Sequence, residues 1–364
     1  MRLVSFAIAC EPARRHHAPS LGRPLAGWVT EHRVVTTRRF PDVRPSRAGR
    51  AVCRCSAAMR CRRLLLTGAA GGLGRVLRPR LQRHCERLRL SDLADLGGAA
   101  AHEELMPADL ADAHAMLELL DGVDAVLHFG GVSVEQPFDM VLPANIVGVF
   151  NLYEAARLQG VRRIVFASSN HVTGCYRQGE VIRPTAPARP DGYYGISKAF
   201  GENLASLYFD RYGIETVSLR LGNCAPEPAD RRGLAIWLSH DDLERLVLAS
   251  LSAEDVGCLT IYGASDNPRA WWDNSAERDI GYRPQDSAEA YRAQIEARPP
   301  VADPQDPTEL YQGGGFSASV PSHSLKTRRP THDDPLACPL CGIGPCIGGH
   351  AGRCRSPSCR FPIG

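Results

Sequence analysis

Residues 63–74, "RLLLTGAAGGLG", constrain this chain more than any other stretch. Arg63 to Thr67 form an apolar run short enough for a strand. Glycines follow at 68, 71, 72 and 74, and "LGRVLRPRLQRH" then has helical character. A strand that turns this sharply into a helix leaves backbone N–H groups aimed at one point, and the helix dipole adds partial positive charge there. Glycines let phosphates approach the backbone with no Cβ in the way. Such turns also serve as plain packing devices. It is the strand before and the helix after that mark Gly68, Gly71, Gly72, Leu73 and Gly74 as a pyrophosphate cradle.

The alternation continues beyond that turn. "RLRLSD" reads as a second strand ending at Asp92, 18 residues past Gly74. This is close to the spacing of the acid that accepts hydrogen bonds from an adenosine ribose. A carboxylate there repels a 2′-phosphate, and no arginine directly follows to offset it, so NAD is expected rather than NADP. "DAVLHFGG" reads as a third strand, and "NIVGVFNLYEAARLQG" as a helix closed by Gly160. "RRIVFASS", "ETVSLRLG" and "CLTIYGAS" read as the fourth, fifth and sixth strands. Strands separated by helices predict an α/β fold: a doubly wound parallel sheet with helices on both faces and a small C-terminal substrate-binding portion. Ligands of such sheets bind beyond the carboxyl ends of the strands. That rule gathers Gly68, Asp92, Gly130, Ser133, Ser168, Ser169 and Asn223 into one crevice.

Composition divides the chain into three zones. Residues 1–59 form an Arg-rich extension: the first 58 carry eleven Arg, no Lys and three acids. The zone is read as sequence upstream of a start at Met59, in preference to an organelle transit peptide. Residues 60–316 form the catalytic domain. Residues 317–364 form a Cys-, Pro- and Arg-rich tail, expected to be disordered. Cys338-Pro-Leu-Cys341 has zinc-knuckle spacing and His350 could add a ligand, but a second such pair is missing, so no metal is expected. The scattered cysteines of the central zone read as small buried hydrophobes in a reducing, cytoplasmic compartment. A net charge of +3 calls for neither nucleic acid nor an acidic membrane surface. No apolar run reaches the ~18 residues that a membrane span requires.

Lysine is nearly absent: the chain holds 41 Arg and two Lys. One of the two, Lys198, lies four residues after Tyr194 in "DGYYGISKAFGENL". At the start of a helix that spacing puts both side chains on one face. A phenol titrates near ~10, too high for a base at neutral pH, and a nearby ammonium lowers that value. Lysine offers a compact charge with rotatable donors that can also reach a ribose, whereas arginine's planar fork cannot do both. Tyr194, Lys198 and Ser169, which ends the fourth strand, are therefore the candidate catalytic residues.

Together, the glycine turn, Ser169 and the Tyr194–Lys198 pair resemble the extended branch of the short-chain dehydrogenase/reductase family from about Arg62 to Phe316, with its Rossmann-type fold. The strings "HFGGVSVEQPF", "IVFASSNHVTGCY", "PARPDGYYGISK", "WLSHDDL" and "WWDNS" resemble the uronate dehydrogenases within it. The resemblance implies NAD-dependent oxidation of the anomeric hydroxyl of free D-glucuronate or D-galacturonate to an aldarolactone. It implies substrate contacts at Ser133, Ser169, Asn170, His171 and Arg232, with Arg231 a competitor for the last. It implies cofactor contacts at Asp109, Leu110, Gly130 and Asn145 besides the turn, Asp92 and Lys198. Asn223 stands where a serine is expected. Two rivals share the fold: a nucleotide-sugar epimerase or dehydratase, and a non-catalytic NAD-binding sensor. Only about 118 residues separate Lys198 from the tail, little for a nucleotide-sugar domain, and retention of both Tyr194 and Lys198 argues against a sensor. Apolar residues on more than one side of helices 145–160 and 194–212, among them Ile146, Val149, Leu152, Leu204, Leu207 and Phe209, predict a homo-oligomer.

Overall fold

A computed structural model describes residues 61–275, 280–299, 303 and 305–319. The Arg-rich N-terminal extension and the cysteines of the tail lie outside the described residues, so the readings made for them have no structural counterpart here.

Seven strands form one parallel sheet. In chain order they are β1 (Cys61–Thr67), β2 (Cys85–Ser91), β3 (Glu103–Leu105), β4 (Ala125–His128), β5 (Arg163–Ser169), β6 (Glu215–Leu221) and β9 (Cys258–Gly263). Their spatial order is β3-β2-β1-β4-β5-β6-β9, so the winding reverses between β1 and β4. A two-stranded ribbon, β7 (Asn223–Cys224) with β8 (Trp237–Leu238), lies between β6 and β9 in sequence. The six expected strands are all present. The seventh, β3, is three residues long and carries two acids, so neither hydrophobic periodicity nor length marks it in the sequence.

The strands read as continuous apolar runs because both faces are covered. Leu64 and Leu66 of β1 pack under Leu77 and Leu81 of helix Gly72–Leu81, beside Leu243 and Leu246 of helix His240–Ser252. Leu65, one residue out of phase, faces Leu119, Leu152 and Tyr208 from the helices Ala113–Leu119, Gly148–Gln159 and Tyr193–Tyr212. Burying one such leucine contributes about 1.5–3 kcal/mol.

The helix expected from residue 145 begins earlier. Phe138–Val141 runs through a π-helical stretch, Leu142–Val147, into Gly148–Gln159, and Gly160 ends it at φ 75°. A π-helical insertion rotates the side chains that follow it. Asn145 lies within this stretch and is buried.

Candidate active site

The ends of β1, β2, β4, β5 and β6 open on a crevice of about 1060 Å³. Its walls include Gly68, Gly71, Gly72, Leu73, Gly74, Asp92, Asp109, Leu110 and Gly130 at one end. At the other end stand Ser133, Ser169, Asn170, His171, Tyr194, Lys198 and Arg232. Every site residue expected from the sequence lines this crevice except Asn145 and the alternative Arg231. The Asn145 side chain stands behind the wall. Its Oδ1 accepts from the Val132 N–H at 2.8 Å, and its Nδ2 donates to Val132 O at 2.9 Å and Ser197 Oγ at 3.0 Å. Asn145 therefore ties the loop after β4 to the helix that carries Tyr194, so the side chain expected to contact the cofactor is engaged by Val132 and Ser197.

The glycine turn is shaped by close approach. A Cβ on Gly68 would stand 2.5 Å from the Phe129 backbone, and one on Gly74 would run into Gly68 O. Gly72 faces open space. The helix starting there has no side-chain cap and no acid in its first turn. Its first N–H groups and the positive end of its dipole are thus left for an anion. Asp92 follows β2 directly and does two things. Its Oδ2 accepts from the Ala70 N–H at 3.0 Å and its Oδ1 from the Ala94 N–H at 3.0 Å, so it braces the turn while lining the crevice. These residues fit an NAD dinucleotide: an uncapped helix end for the pyrophosphate and a carboxylate beside it for a ribose.

Tyr194, Lys198, Ser169 and Asn170 are all buried. The Ser169 hydroxyl hydrogen-bonds the Tyr194 phenol and draws its pKa down, but burial outweighs that, Asp191 adds to the rise, and the phenol is pushed up to about 12. Lys198 Nζ donates to Ala167 O at 2.8 Å and lies 5.5 Å from the centre of the Tyr194 ring. Burial brings its pKa down to about 8. Burial of the phenol thus opposes the lowering expected from the ammonium, because it disfavours the phenolate.

Arg232 is partly buried and makes no salt bridge among the described residues. Its Nε donates to Gln312 O at 2.7 Å. The Asn170 amide satisfies both its ends when Nδ2 donates to Leu221 O and Oδ1 accepts from Arg232 Nη2, each at 3.0 Å. Burial lowers the Arg232 pKa, while Asp230 and Asp191 oppose that fall. Arg231 turns outward to Glu296 O and Arg298 O, which removes it from the crevice.

Sequence reasoning missed four contributors. Glu135 accepts the first N–H groups of the Tyr194 helix. Asp191 bonds His171. Gln312 holds Arg232 through its carbonyl and fixes its own side chain on Trp272 Nε1 at 2.9 Å. Phe316 stacks on His171 with ring centres 4.0 Å apart. Gln312 and Phe316 return from more than 110 residues beyond Tyr194, and no local pattern marks them. Asp191 did carry a signal, a lone acid beside "GYYGISK".

The chain belongs to the NAD dependent epimerase/dehydratase family, whose sequence model matches residues 64–293. Within that class it is similar to uronate dehydrogenases. It is 56% identical to uronate dehydrogenase of Pseudomonas syringae pv. tomato over 260 residues, which span 71% of this chain and 94% of that protein. Among solved structures, glucuronic acid dehydrogenase from Chromohalobacter salexigens is 50% identical with a TM-score of 0.70, covering 72% of this chain and 98% of that one. A variant of Agrobacterium tumefaciens uronate dehydrogenase complexed with NAD is also 50% identical, with a TM-score of 0.70, covering 72% of this chain and 99% of that one.

Proposed function

We propose that this chain oxidises the anomeric hydroxyl of a free hexuronic acid, D-glucuronate or D-galacturonate, to the aldarolactone with NAD⁺. The observation that carries the reading is one crevice lined by the Ser169–Tyr194–Lys198 cluster and by Arg232, a cation without a carboxylate partner among the described residues. The relatives named for uronate and glucuronic acid dehydrogenation support the substrate class.

Gly68, Gly71, Gly72, Leu73, Gly74, Asp92, Asp109, Leu110 and Gly130 would hold NAD⁺, with Lys198 on its ribose. Bound NAD⁺ supplies the hydride acceptor and a positively charged ring. With that ring's charge and the Lys198 ammonium beside it, Tyr194 would act as the phenolate, whose Oη takes the proton of the C1 hydroxyl, and Ser169 Oγ hydrogen-bonds the same oxygen. Lys198 supplies the protein's own positive charge near the phenol. Arg232 meets the sugar carboxylate, where two parallel N–H donors match two oxygens. Ser133, Asn170 and His171 take the remaining polar groups of the sugar.

The test follows near-UV absorbance of NADH when the purified protein meets each free uronate and, separately, a nucleotide sugar. Turnover of a uronate is expected. Turnover of the nucleotide sugar alone transfers the assignment to the epimerase/dehydratase reading.

We also infer a homo-oligomer in the cytoplasm. Of the apolar residues cited from the sequence as lying on more than one side of their helices, Val149, Leu152 and Leu204 belong to the core. Phe150, Ile196 and Leu207 are 47%, 45% and 50% exposed on the same helices, and they support the reading in their place. Light scattering of the purified chain measures the oligomeric mass, and a monomer would remove this inference. Cys61, Cys85, Cys175, Cys224 and Cys258 stand free, in keeping with a reducing compartment. No helix among the described residues is long and apolar enough to cross a membrane.

A further inference from the structure

We propose that Asp191 is a positioning residue that fixes the His171 tautomer, keeping the proton on Nδ1 and presenting a bare Nε2 to the substrate. The assignment rests on the sugar-acid reading for its functional consequence, though not for its geometry.

Asp191 Oδ2 lies 2.7 Å from His171 Nδ1, and the Asp191 side chain is wholly buried. A carboxylate only accepts hydrogen bonds, so Nδ1 must carry the proton, and a neutral ring then has its lone pair at Nε2. Asp191 Oδ1 is buried and finds no donor among the described residues. The bond to His171 is thus the carboxylate's one side-chain partnership, which raises the cost of losing it.

Neither partner has room to turn away. The Phe316 ring lies on the imidazole at 4.0 Å with 17° between planes, and the Tyr194 ring meets it edge-on at 5.7 Å. Asp191 Oδ2 sits against the Cα atoms of Gly174 and Gly313, where a Cβ on either would overlap it. Those two glycines are themselves joined, Gly313 N–H donating to Gly174 O at 2.9 Å. The C-terminal segment therefore clamps the pair from one side, and the start of the Tyr194 helix holds it from the other.

The arrangement sorts the two ends of a sugar acid. With the proton held on Nδ1, a bare Nε2 accepts from a sugar hydroxyl and offers nothing to a carboxylate. The negative charge of Asp191 directly behind it disfavours a second anion there. The same charge acts on Arg232 in the direction that keeps it protonated, so the carboxylate is directed to the guanidinium. In this way a buried acid inside an anion-binding crevice sets substrate orientation.

The test combines spectroscopy and kinetics on the full chain with NAD⁺ bound. ¹⁵N-histidine spectra, with the His171 signals assigned through His171→Gln, report which ring nitrogen carries the proton. We expect Nδ1–H with bare Nε2 in the parent protein. In Asp191→Asn, whose amide can donate to Nδ1, the reversed tautomer is expected. The KM for the uronate should rise about 10-fold or more in that variant, the loss from one misdirected hydrogen bond, while the KM for NAD⁺ stays within about twofold. In a His171→Gln background, Asp191→Asn should add no further loss. A proton on Nε2 in the parent protein, or an equal additional loss in the His171→Gln background, overturns the proposal. If Asp191→Asn fails to fold, the parent spectrum alone decides. Absence of turnover with every uronate would strike the substrate reading and leave the tautomer result standing.

Discussion

Glu135 accepts the backbone N–H of Tyr194 at 2.9 Å through Oε2 and that of Tyr193 at 3.0 Å through Oε1. The acid sits two residues after Ser133, so one carboxylate joins a candidate substrate loop to the helix of the candidate base. It satisfies two of the donors that every helix start leaves open and places negative charge at the positive end of the dipole. Glu135→Ala should cost about 1–2 kcal/mol of stability, as loss of a cap does, and should lower kcat/KM about 10-fold because two site elements lose their shared anchor. Thermal denaturation and steady-state kinetics measure both. A destabilised variant with unchanged kinetics would show that the loop is placed without Glu135.

Lys198 should cost stability at neutral pH. Its proton leaves near 8 in the folded protein, against an ordinary value of 10.5 in an unfolded chain. Below pH 8 both states are charged and the folded state bears the full burial cost, on the order of 3 kcal/mol. Between the two values the folded state gives up its proton first, so stability rises with pH. Lys198→Met should therefore melt at a higher temperature than the parent at pH 7, with the gap closing toward pH 10.5. A constant gap across that range would place the ammonium in better solvation than its burial implies.

The Tyr194 phenol should stay neutral well past physiological pH in the cofactor-free protein, since it titrates at about 12. A difference spectrum between the parent and Tyr194→Phe should show no phenolate step below pH 10. Phenolate absorbance already present at pH 8 would mean that Lys198 outweighs desolvation after all. The same substitution removes the candidate base and should reduce kcat by about 10²-fold or more, with NAD⁺ affinity retained.

Asp92 should control cofactor choice and turn stability together. Asp92→Ser removes the charge that repels a 2′-phosphate, so the preference for NAD⁺ over NADP⁺ should narrow. It also weakens the hydrogen bond to the Ala70 N–H, so the melting temperature should fall. An unchanged cofactor ratio with a lower melting temperature would reduce Asp92 to a brace of the turn.

The end of the domain can be located by truncation. A chain spanning residues 59–319 should turn over like the full sequence. A chain ending at Leu310 should lose substrate affinity, because Gln312 O holds Arg232 and Phe316 covers His171. Kinetics on the two truncations check this, and equal activity would show that the C-terminal segment is dispensable.

The sequence alone determined six of the seven strands, the glycine turn and the shared helix face of Tyr194 and Lys198. Leu64, Leu65 and Leu66 must be buried on both faces, which requires a parallel sheet covered by helices. Gly68 and Gly74 sit at fixed distances along a turn, and Tyr194 and Lys198 share one helix face through local geometry that spacing encodes. Only the tertiary structure decided what those residues meet. Asn145 belongs behind the wall because a π-helical stretch turns it toward Val132 and Ser197. Arg232 rather than its neighbour enters the crevice because Gln312, 80 residues away, holds it there. Burial pushes the Tyr194 phenol up, and that effect depends on what packs around it. Asp191, Gln312 and Phe316 converge on His171 and Arg232 from segments far apart in the chain. Burial and long-range contact are properties of the closed fold, and local spacing carries no record of them.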